Sequence, residues 1–243
     1  MPPWFLYPIQ TMKLLSVNAD AKTVKGVKVG VLTGILYLAP SDESGVMNTC
    51  KHASKGCRSA CLFTAGRGAF SNVKAARIAK TVRFVKDQTQ FMLDLVDDIA
   101  ALIKKATKEN LIPAVRLNGT SDIRWEDVLL NGKNVMQIFP NVQFYDYTKD
   151  SSVLDWRKKL PANLHLTFSK SESNDSVIAK AVSMGMNVAV VFSGKTLPAT
   201  YLGRPVINGD DSDVRFNDPN GVVVGLKAKG KAKRDTSGFV VAV

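Results

Sequence analysis

Long apolar runs and histidines are scarce in this sequence of 243 residues. No stretch approaches the roughly 20 consecutive apolar residues that a membrane-spanning helix needs, so we expect no membrane partner. Residues 1–8 lack the basic and apolar regions of a secretory signal peptide, which predicts a cytosolic protein with reduced thiols. The two histidines, His52 and His165, are far apart in the chain.

Several motifs of common enzymes are also missing. The sequence has no His-x-His pair, no His-Glu-x-x-His zincin motif and no Gly-x-Ser-x-Gly elbow. It has no Walker A string either. These absences argue against the common zinc proteases, serine hydrolases and P-loop nucleotidases.

Acidic residues are outnumbered, with 21 Asp and Glu against 33 Lys and Arg and a net charge of +12. Such an excess favours a polyanionic partner, and nucleic acid is the obvious one. The densest basic run consists of Lys227, Lys229, Lys231, Lys233 and Arg234. Alternation would place the lysines on one face of an extended strand, whereas Gly230 favours a loop. Either form suits contacts with phosphates, and a solvated loop is the alternative interpretation.

The second half of the chain alternates short apolar runs with polar, helix-compatible stretches. The apolar runs are residues 113–117, 142–145, 164–168, 188–192, 206–208 and 222–226. Continuous apolar runs of this kind are typical of buried parallel strands and predict βα units. We therefore expect an α/β fold with a full or partial (β/α) barrel, and an open doubly wound sheet is the second choice.

The first half predicts three parts of one domain. Strands at residues 14–17, 24–31 and 35–38 would belong to an N-terminal β segment over residues 1–47. A cysteine-rich loop follows over residues 48–69, and βα units occupy residues 70–243. Apolar residues at three- and four-residue spacing predict two helices within residues 71–107, separated at residues 87–89 with Thr89 as N-cap.

All three cysteines lie within 12 residues, as Cys50-x6-Cys57-x3-Cys61. Their odd number and a reducing compartment disfavour disulfides. The surrounding segment is polar and basic, unlike a core strand, so buried structural cysteines are disfavoured too. The cluster therefore predicts one metal site.

The alternatives for this site are a zinc ion and an iron–sulfur cluster. Structural zinc prefers four ligands paired as Cys-x2–4-Cys, and His52 is poorly spaced to be the fourth. Three thiolates in one loop suit a [4Fe–4S] cluster whose fourth iron is free for an exogenous ligand. We expect the iron–sulfur cluster, with zinc as the alternative.

The stretch 49–68, which contains Cys-x6-Cys-x3-Cys-Leu-x-Thr-Ala-Gly-Arg-Gly, resembles a phage protein family called gene product eighty-eight. Residues 116–122, 144–149, 166–172 and 225–231 also carry this resemblance, which spans most of residues 45–240. The resemblance implies a phage or prophage origin, and hence a location in the host cell cytoplasm.

The cysteine loop is also similar to that of radical S-adenosylmethionine enzymes. In those enzymes a three-cysteine loop follows an early strand, precedes a (β/α) barrel and holds a [4Fe–4S] cluster. Their usual spacing is Cys-x3-Cys-x2-Cys, which differs from the spacing here. This resemblance implies a cluster in a barrel mouth and S-adenosylmethionine as a further cofactor.

Polar residues follow several predicted strands, where ligands of parallel α/β folds bind. Acid–base or phosphate-binding roles are predicted for Asp122, Asp146 and Lys149, with helix capping and a surface ion pair as the alternatives. Cofactor contacts are predicted for Asn118, Ser121, Ser169 and Glu172, with turn and helix-cap chemistry as the alternative.

These observations predict an iron–sulfur phage protein that binds or acts on nucleic acid, with a cluster site similar to that of radical S-adenosylmethionine enzymes. One alternative is a non-catalytic nucleic-acid-binding module in which iron–sulfur or zinc is structural. Another is a radical enzyme that acts on a small metabolite. The sequence leaves open whether the protein is an enzyme.

Overall fold

The computed structural model describes residues 12–18, 21–155 and 159–243, so residues 1–11 of the predicted N-terminal segment lie outside it. The strands are β1 (Leu15–Val17), β2 (Val31–Leu36), β3 (Ile112–Arg116), β4 (Gln143–Thr148), β5 (Leu164–Ser169), β6 (Val188–Phe192), β7 (Thr200–Tyr201), β8 (Arg204–Asn208), β9 (Val223–Lys227) and β10 (Val240–Val241). The helices are α1 (Ala21–Val27), α2 (Lys55–Ser59), α3 (Ser71–Lys86), α4 (Gln88–Lys108), α5 (Val135–Ile138) and α6 (Asp175–Ser183).

The strands form one sheet in the order β1-β2-β3-β4-β5-β6-β9-β8-β7, and β10 pairs with β6. The β1–β2 and β7–β8 pairs are antiparallel, and the remaining pairs are parallel. The predicted α/β class and the predicted parallel strands are therefore confirmed.

The predicted full barrel is wrong for the described part of the chain, because the sheet is not closed. One edge is β1, which pairs with β2, and the other is β7, which pairs with β8. Strands β2 to β6 are neighbours in chain order. They do not show the reversal of strand order at which a doubly wound sheet binds its ligand.

One predicted strand is replaced by a helix. Residues 24–31 alternate like a strand, yet Ala21–Val27 form α1, and β2 begins at Val31. Within α1, Thr23 is buried, Val24 is exposed and Val27 packs against the main core. This four-residue spacing of inward positions belongs to a helix.

The two long predicted helices are present as α3 and α4. They separate at Asp87, whose carboxylate accepts a hydrogen bond from Gln90 N at 3.0 Å. The N-cap is therefore Asp87 and not the predicted Thr89. Carboxylates favour this position because they satisfy free N–H groups at the positive end of the helix dipole.

The largest core lies between α3, α4 and strands β1 to β4. Phe91, Leu95, Ile99 and Leu102 of α4 are at most 2% exposed and recur at helical spacing. A second core forms where α6 packs on β5 and β6 around Phe168. None of the described helices is long and apolar enough to span a membrane.

The parallel strands place the loops that carry the candidate site residues on one side of the sheet, called here the carboxyl edge. The cysteine loop follows β2, and the loops after β3, β4 and β5 contribute Asp122, Lys149 and Glu172. The chain after β9 carries most of the basic run to the same edge. Ligands of parallel α/β folds bind at this edge.

We expect Leu95→Ala to lower the free energy of unfolding by about 2–5 kcal/mol, because it leaves a cavity in the main core. The same change at Leu93, two residues away and 41% exposed, is expected to cost less than about 0.5 kcal/mol. Equilibrium denaturation of both variants measures the difference. Equal losses would contradict the described burial of α4.

Candidate functional site

Cys50 lies in the loop after β2, and the neighbouring residues hold it by hydrogen bonds. Cys50 N donates to Asn48 Oδ1 at 2.9 Å, and Thr49 Oγ1 donates to the carbonyl oxygen of Ala39 at 2.6 Å. The thiol itself is 3.6 Å from the carbonyl oxygen of Thr120, in the loop after β3. Two loops of the carboxyl edge therefore fix Cys50.

Cys57 lies on α2, and a carboxylate from the loop after β5 holds the start of this short helix. Glu172 accepts hydrogen bonds from Ser54 Oγ at 2.6 Å and from Gly56 N at 2.8 Å. Ser54 Oγ in turn accepts from Cys57 N at 3.2 Å. Burial acts to raise the pKa of Glu172, but these hydrogen bonds outweigh it and lower that pKa.

Cys61 comes just after α2, and its titration is strongly affected by burial. Burial, aided by the charges of Cys57 and Cys50, raises the pKa of Cys61 to about 11, although the backbone of Phe63 and the charge of Arg77 oppose the rise. Burial also raises the pKa of Cys50, with smaller contributions from Asp122 and Cys57. The three thiols are therefore near enough for their charges to act on one another.

The donor set is three free cysteines, each partly exposed. Within the described residues, no three Cys, His, Asp or Glu side chains are placed to hold one metal ion. A tetrahedral zinc ion binds sulfur at about 2.3 Å, so its ligands lie within about 4 Å of one another. A [4Fe–4S] cubane instead binds each thiolate on a different iron atom.

His52 lies beside Asp150. Its Nε2 lies 3.6 Å from Asp150 Oδ1, and its side chain is 43% exposed. Whether His52 is a metal ligand is not tested by this contact, so its exclusion stays a prediction.

Asp122 connects the cysteine loop to β4. Its backbone N donates to the Thr49 carbonyl at 2.8 Å, and its carboxylate accepts from Thr148 Oγ1 at 2.8 Å and from Lys149 N at 2.9 Å. Burial raises the pKa of Asp122, although these hydrogen bonds oppose the rise. The structure thus brings Asp122 beside Cys50, and its predicted catalytic role stays a prediction.

Asn118 and Ser121 bind each other and the loop around them. Asn118 Oδ1 accepts from Ser121 Oγ at 2.8 Å, from Ile123 N at 3.0 Å and from Trp125 Nε1 at 3.1 Å. Asn118 Nδ2 donates to the Ile123 carbonyl at 2.9 Å. These bonds occupy both ends of the amide, so the turn interpretation accounts for Asn118 and Ser121, and cofactor contact stays a prediction.

Asp146 accepts hydrogen bonds that hold the end of β3. None of its contacts among the described residues is with a cysteine. Its carboxylate accepts from Leu117 N at 2.9 Å, Asn118 N at 3.0 Å and Arg116 Nε at 3.2 Å. Arg116 also pairs with Asp213 at 2.6 Å. Burial opposes the charge of Arg116, but Asp213 and Asp146 raise its pKa well above the usual value.

Of the other predicted residues, Lys149 lies beside the C-terminal segment, and Ser169 bonds the loop that follows it. Lys149 Nζ lies 5.7 Å from the centre of the Phe239 ring. Ser169 ends β5, and its carbonyl accepts from Asn174 Nδ2 at 2.9 Å. A Cβ added at Gly56 would clash with Ser237 Oγ and lie 2.6 Å from Phe239 Cβ. The C-terminal segment therefore packs directly on the helix that carries Cys57.

Most of the basic run belongs to a turn and not to an extended strand. Lys227 ends β9, Lys229 Nζ pairs with Asp210 Oδ1 at 2.7 Å, and Gly230–Arg234 form a 3-10 turn. The exposed cations of this turn are Lys231, Lys233 and Arg234. An open groove of about 310 Å³ lies beside it, lined by Ser59, Ala60, Lys231, Arg234, Asp235, Thr236 and Ser237. The groove therefore joins two basic side chains to the segment between Cys57 and Cys61.

Sequence reasoning missed Arg77 and Arg116. Arg116 stands within an apolar run, where a buried charge is a signal for an ion pair. Arg77 stands among other cations of a helix whose pattern resembles an exposed polar face, so the sequence carries no signal for it. Both guanidinium groups contact aromatic rings, Arg77 that of Tyr37 and Arg116 that of Tyr147.

A family model described as Gene product 88 matches residues 12–242. Searches of curated proteins and of solved structures found no match. The predicted resemblance to this phage family is therefore confirmed, whereas the resemblance to radical S-adenosylmethionine enzymes gains no support from these comparisons.

We expect Glu172→Gln to lower the free energy of unfolding by about 1 kcal/mol at neutral pH, because two hydrogen bonds lose their charged acceptor. The lowered pKa of Glu172 means that this stabilisation is present above the ordinary value of 4.5 and is lost as pH falls through the folded-state pKa. The difference from wild type should therefore narrow in acid. Denaturation at several pH values tests this, with the exposed Glu109→Gln as control. A gap that stays constant below pH 4.5 would contradict the prediction.

Proposed function

The chain belongs to the gene product 88 family, and from this premise we propose that its three cysteines hold a [4Fe–4S] cluster in a phage protein that binds or acts on nucleic acid. Cys50, Cys57 and Cys61 are the ligands in this proposal. The site lies at the carboxyl edge of the sheet and functions in the host cytoplasm.

The observation that carries the proposal is that three free cysteines lie in one loop at the carboxyl edge, with the Cys50 segment and the Cys57 helix each held by hydrogen bonds. Asn48 and Thr49 hold the Cys50 segment, Glu172 holds the Cys57 helix, and Cys61 follows directly. Three reduced cysteines in one polar loop suit a metal–thiolate centre better than a core.

The number of cysteines favours iron–sulfur over zinc. Structural zinc takes four ligands, whereas this loop carries three cysteines. Three thiolates leave one iron of a cubane cluster without a protein ligand. When bound, such a cluster supplies electron transfer or an open iron that takes an exogenous ligand. S-adenosylmethionine is the ligand that the resemblance to radical S-adenosylmethionine enzymes implies.

The nucleic-acid partner is supported by the position of the basic turn. Lys231 and Arg234 line the groove beside Ser59 and Ala60, so cations that suit phosphates stand next to the cysteine helix. The net charge of +12 adds long-range attraction for a polyanion. In the proposed function the nucleic-acid backbone contacts this turn, and the metal centre lies beside it.

A second candidate is a non-catalytic nucleic-acid-binding module with a structural iron–sulfur or zinc site. The packing of Gly56 against Ser237 and Phe239 favours it, because a metal that fixes α2 would also fix the basic C-terminal segment. Structural metal sites contribute folding energy directly. In that case metal removal unfolds this region, and the metal takes no part in a reaction.

We expect anaerobically purified wild type to be brown, with about four irons and four sulfides per chain. Cys57→Ala should lose this cofactor, whereas Ser59→Ala, an exposed change on the same helix, should keep it. Absorbance spectra together with iron, zinc and sulfide analysis distinguish the candidates. One zinc in a colourless protein would support the structural module, and a folded protein without metal would overturn both candidates.

We expect the double variant Lys231→Gln/Arg234→Gln to bind nucleic acid more weakly and to reduce the slope of log K against log salt by about 1–2. The matched control is Lys104→Gln/Lys108→Gln on the exposed face of α4, which removes the same charge away from the groove. Fluorescence anisotropy over a salt series measures both slopes. Equal losses of affinity in the two variants would show that nucleic acid responds to the general positive charge of the protein. That result would contradict a specific contact at this turn.

A further inference from the structure

The surface near the basic turn carries an exposed aromatic ring. Phe70 lies between the 3-10 turn Gly66–Ala69 and helix α3, and it is 59% exposed. It is the most exposed Phe, Tyr or Trp residue of the described chain. A single exposed apolar residue is ordinary in a folded protein, so the meaning of this ring depends on its surroundings.

The surroundings of Phe70 are positively charged. Phe70 N donates to the Arg67 carbonyl at 3.3 Å, and the Phe70 carbonyl accepts from Lys74 N at 3.0 Å. These hydrogen bonds hold one cation just before the ring and one just after it. Residues 44–86, which include this stretch, contain nine Lys and Arg and no Asp or Glu. The charge around the ring is therefore complementary to a polyanion.

The fold brings the basic turn to the same stretch. A Cβ added at Gly230, the first residue of that turn, would lie 2.7 Å from Ala65 Cβ, so the turn touches the chain five residues before Phe70. Five residues span at most about 18 Å when fully extended. The hydrogen bond from Gly68 N to the Ala65 carbonyl, at 3.1 Å, shortens this span. One extended ligand can therefore contact both the ring and the cations of the turn.

We propose that this surface binds single-stranded nucleic acid, with Phe70 stacked on an unpaired base and the basic turn in contact with the phosphates of nearby nucleotides. This inference deepens the proposed function and rests on its nucleic-acid partner. Residues 227–234 contain no aromatic residue, so the basic run alone offers phosphate contacts only. The ring adds a surface for bases.

A single strand suits this surface better than a duplex does. The faces of duplex bases are covered by neighbouring base pairs, whereas an unpaired base can leave the strand and stack on an aromatic side chain. Stacking tolerates any base, because every base has a π-face. We therefore expect a preference for single strands over duplexes, with little dependence on base sequence.

An anionic membrane also attracts cations and exposed apolar residues. Membrane binding of that kind depends on the apolar area that one face of an amphipathic helix buries. Phe70 instead lies at the junction of a 3-10 turn and α3, where one ring supplies a small apolar area. Nucleic acid is therefore the favoured partner, and anionic vesicles enter the test as a separate probe.

The test measures binding of the full chain to a fluorescent oligothymidylate and to a hairpin duplex with the same label, by anisotropy over a salt series. Phe70→Ala should weaken binding of the single strand about tenfold, as expected for the loss of one stacking ring. Its binding to the duplex should change less than about twofold, and the slope of log K against log salt should stay at the wild-type value, because no charge is removed. Phe70→Trp, which keeps a stacking surface, should retain wild-type affinity.

Two variants serve as controls. Ile112→Ala removes an equally exposed apolar side chain, 59% exposed, at the start of β3 and away from the carboxyl edge, and it should bind both probes like wild type. Phe70→Leu keeps an apolar side chain without the ring, and it should lose single-strand affinity like Phe70→Ala. If Phe70→Ala fails to fold, as judged by circular dichroism, Phe70→Leu provides the same comparison.

Three results would overturn the inference. They are wild-type affinity for the single strand in folded Phe70→Ala or Phe70→Leu, an equal loss of affinity for the duplex, and a loss in Phe70→Ala of binding to anionic vesicles alone. If these results occur while wild type binds nucleic acid, the partner in the proposed function stands and only the role of Phe70 fails. If wild type binds neither probe, the nucleic-acid partner fails, and this inference fails with it.

Discussion

The carboxylate of Glu172 fixes the start of α2, and the position of Cys57 depends on it. A helix of five residues cannot hold its own orientation, because it has few internal hydrogen bonds and free N–H groups at its start. Glu172 comes from the loop after β5 and supplies acceptors to Ser54 and Gly56. The cysteine loop after β2 is therefore shaped by a loop three strands away along the sheet.

Because neighbouring strands of this sheet follow one another in the chain, contacts between consecutive loops recur along its carboxyl edge. Neighbouring parallel strands place their loops side by side, and Asp122 after β3 accordingly bonds both the cysteine loop, through Thr49, and β4, through Thr148. Several residues predicted as catalytic or cofactor-binding thus hold one loop to the next, and their carboxylates and amides find partners within the protein. Beside the cysteine loop, the guanidinium of Arg77 instead keeps donors without a partner among the described residues.

The sequence predicted the strands β3 to β6, β8 and β9, because short continuous apolar runs bounded by polar residues are typical of buried parallel strands. It failed at residues 24–31, where β-branched residues alternate but the chain forms α1 with Thr23 and Val27 inward. It also failed on barrel closure, since each strand has the same local pattern in an open sheet. The cysteines were evident from spacing, whereas Arg77 matters only because Tyr37 and Phe63, 26 residues apart in sequence, enclose it.

The basic turn packs directly against the segment that carries the proposed metal ligands. Ala228 and Ala232 of the basic segment pack on Ala60, and small side chains at these positions let the two segments approach closely. Strand β10 then fixes the end of this segment to β6. In the proposed function, a polyanion bound by Lys231 and Arg234 would therefore lie against the chain immediately before Cys61.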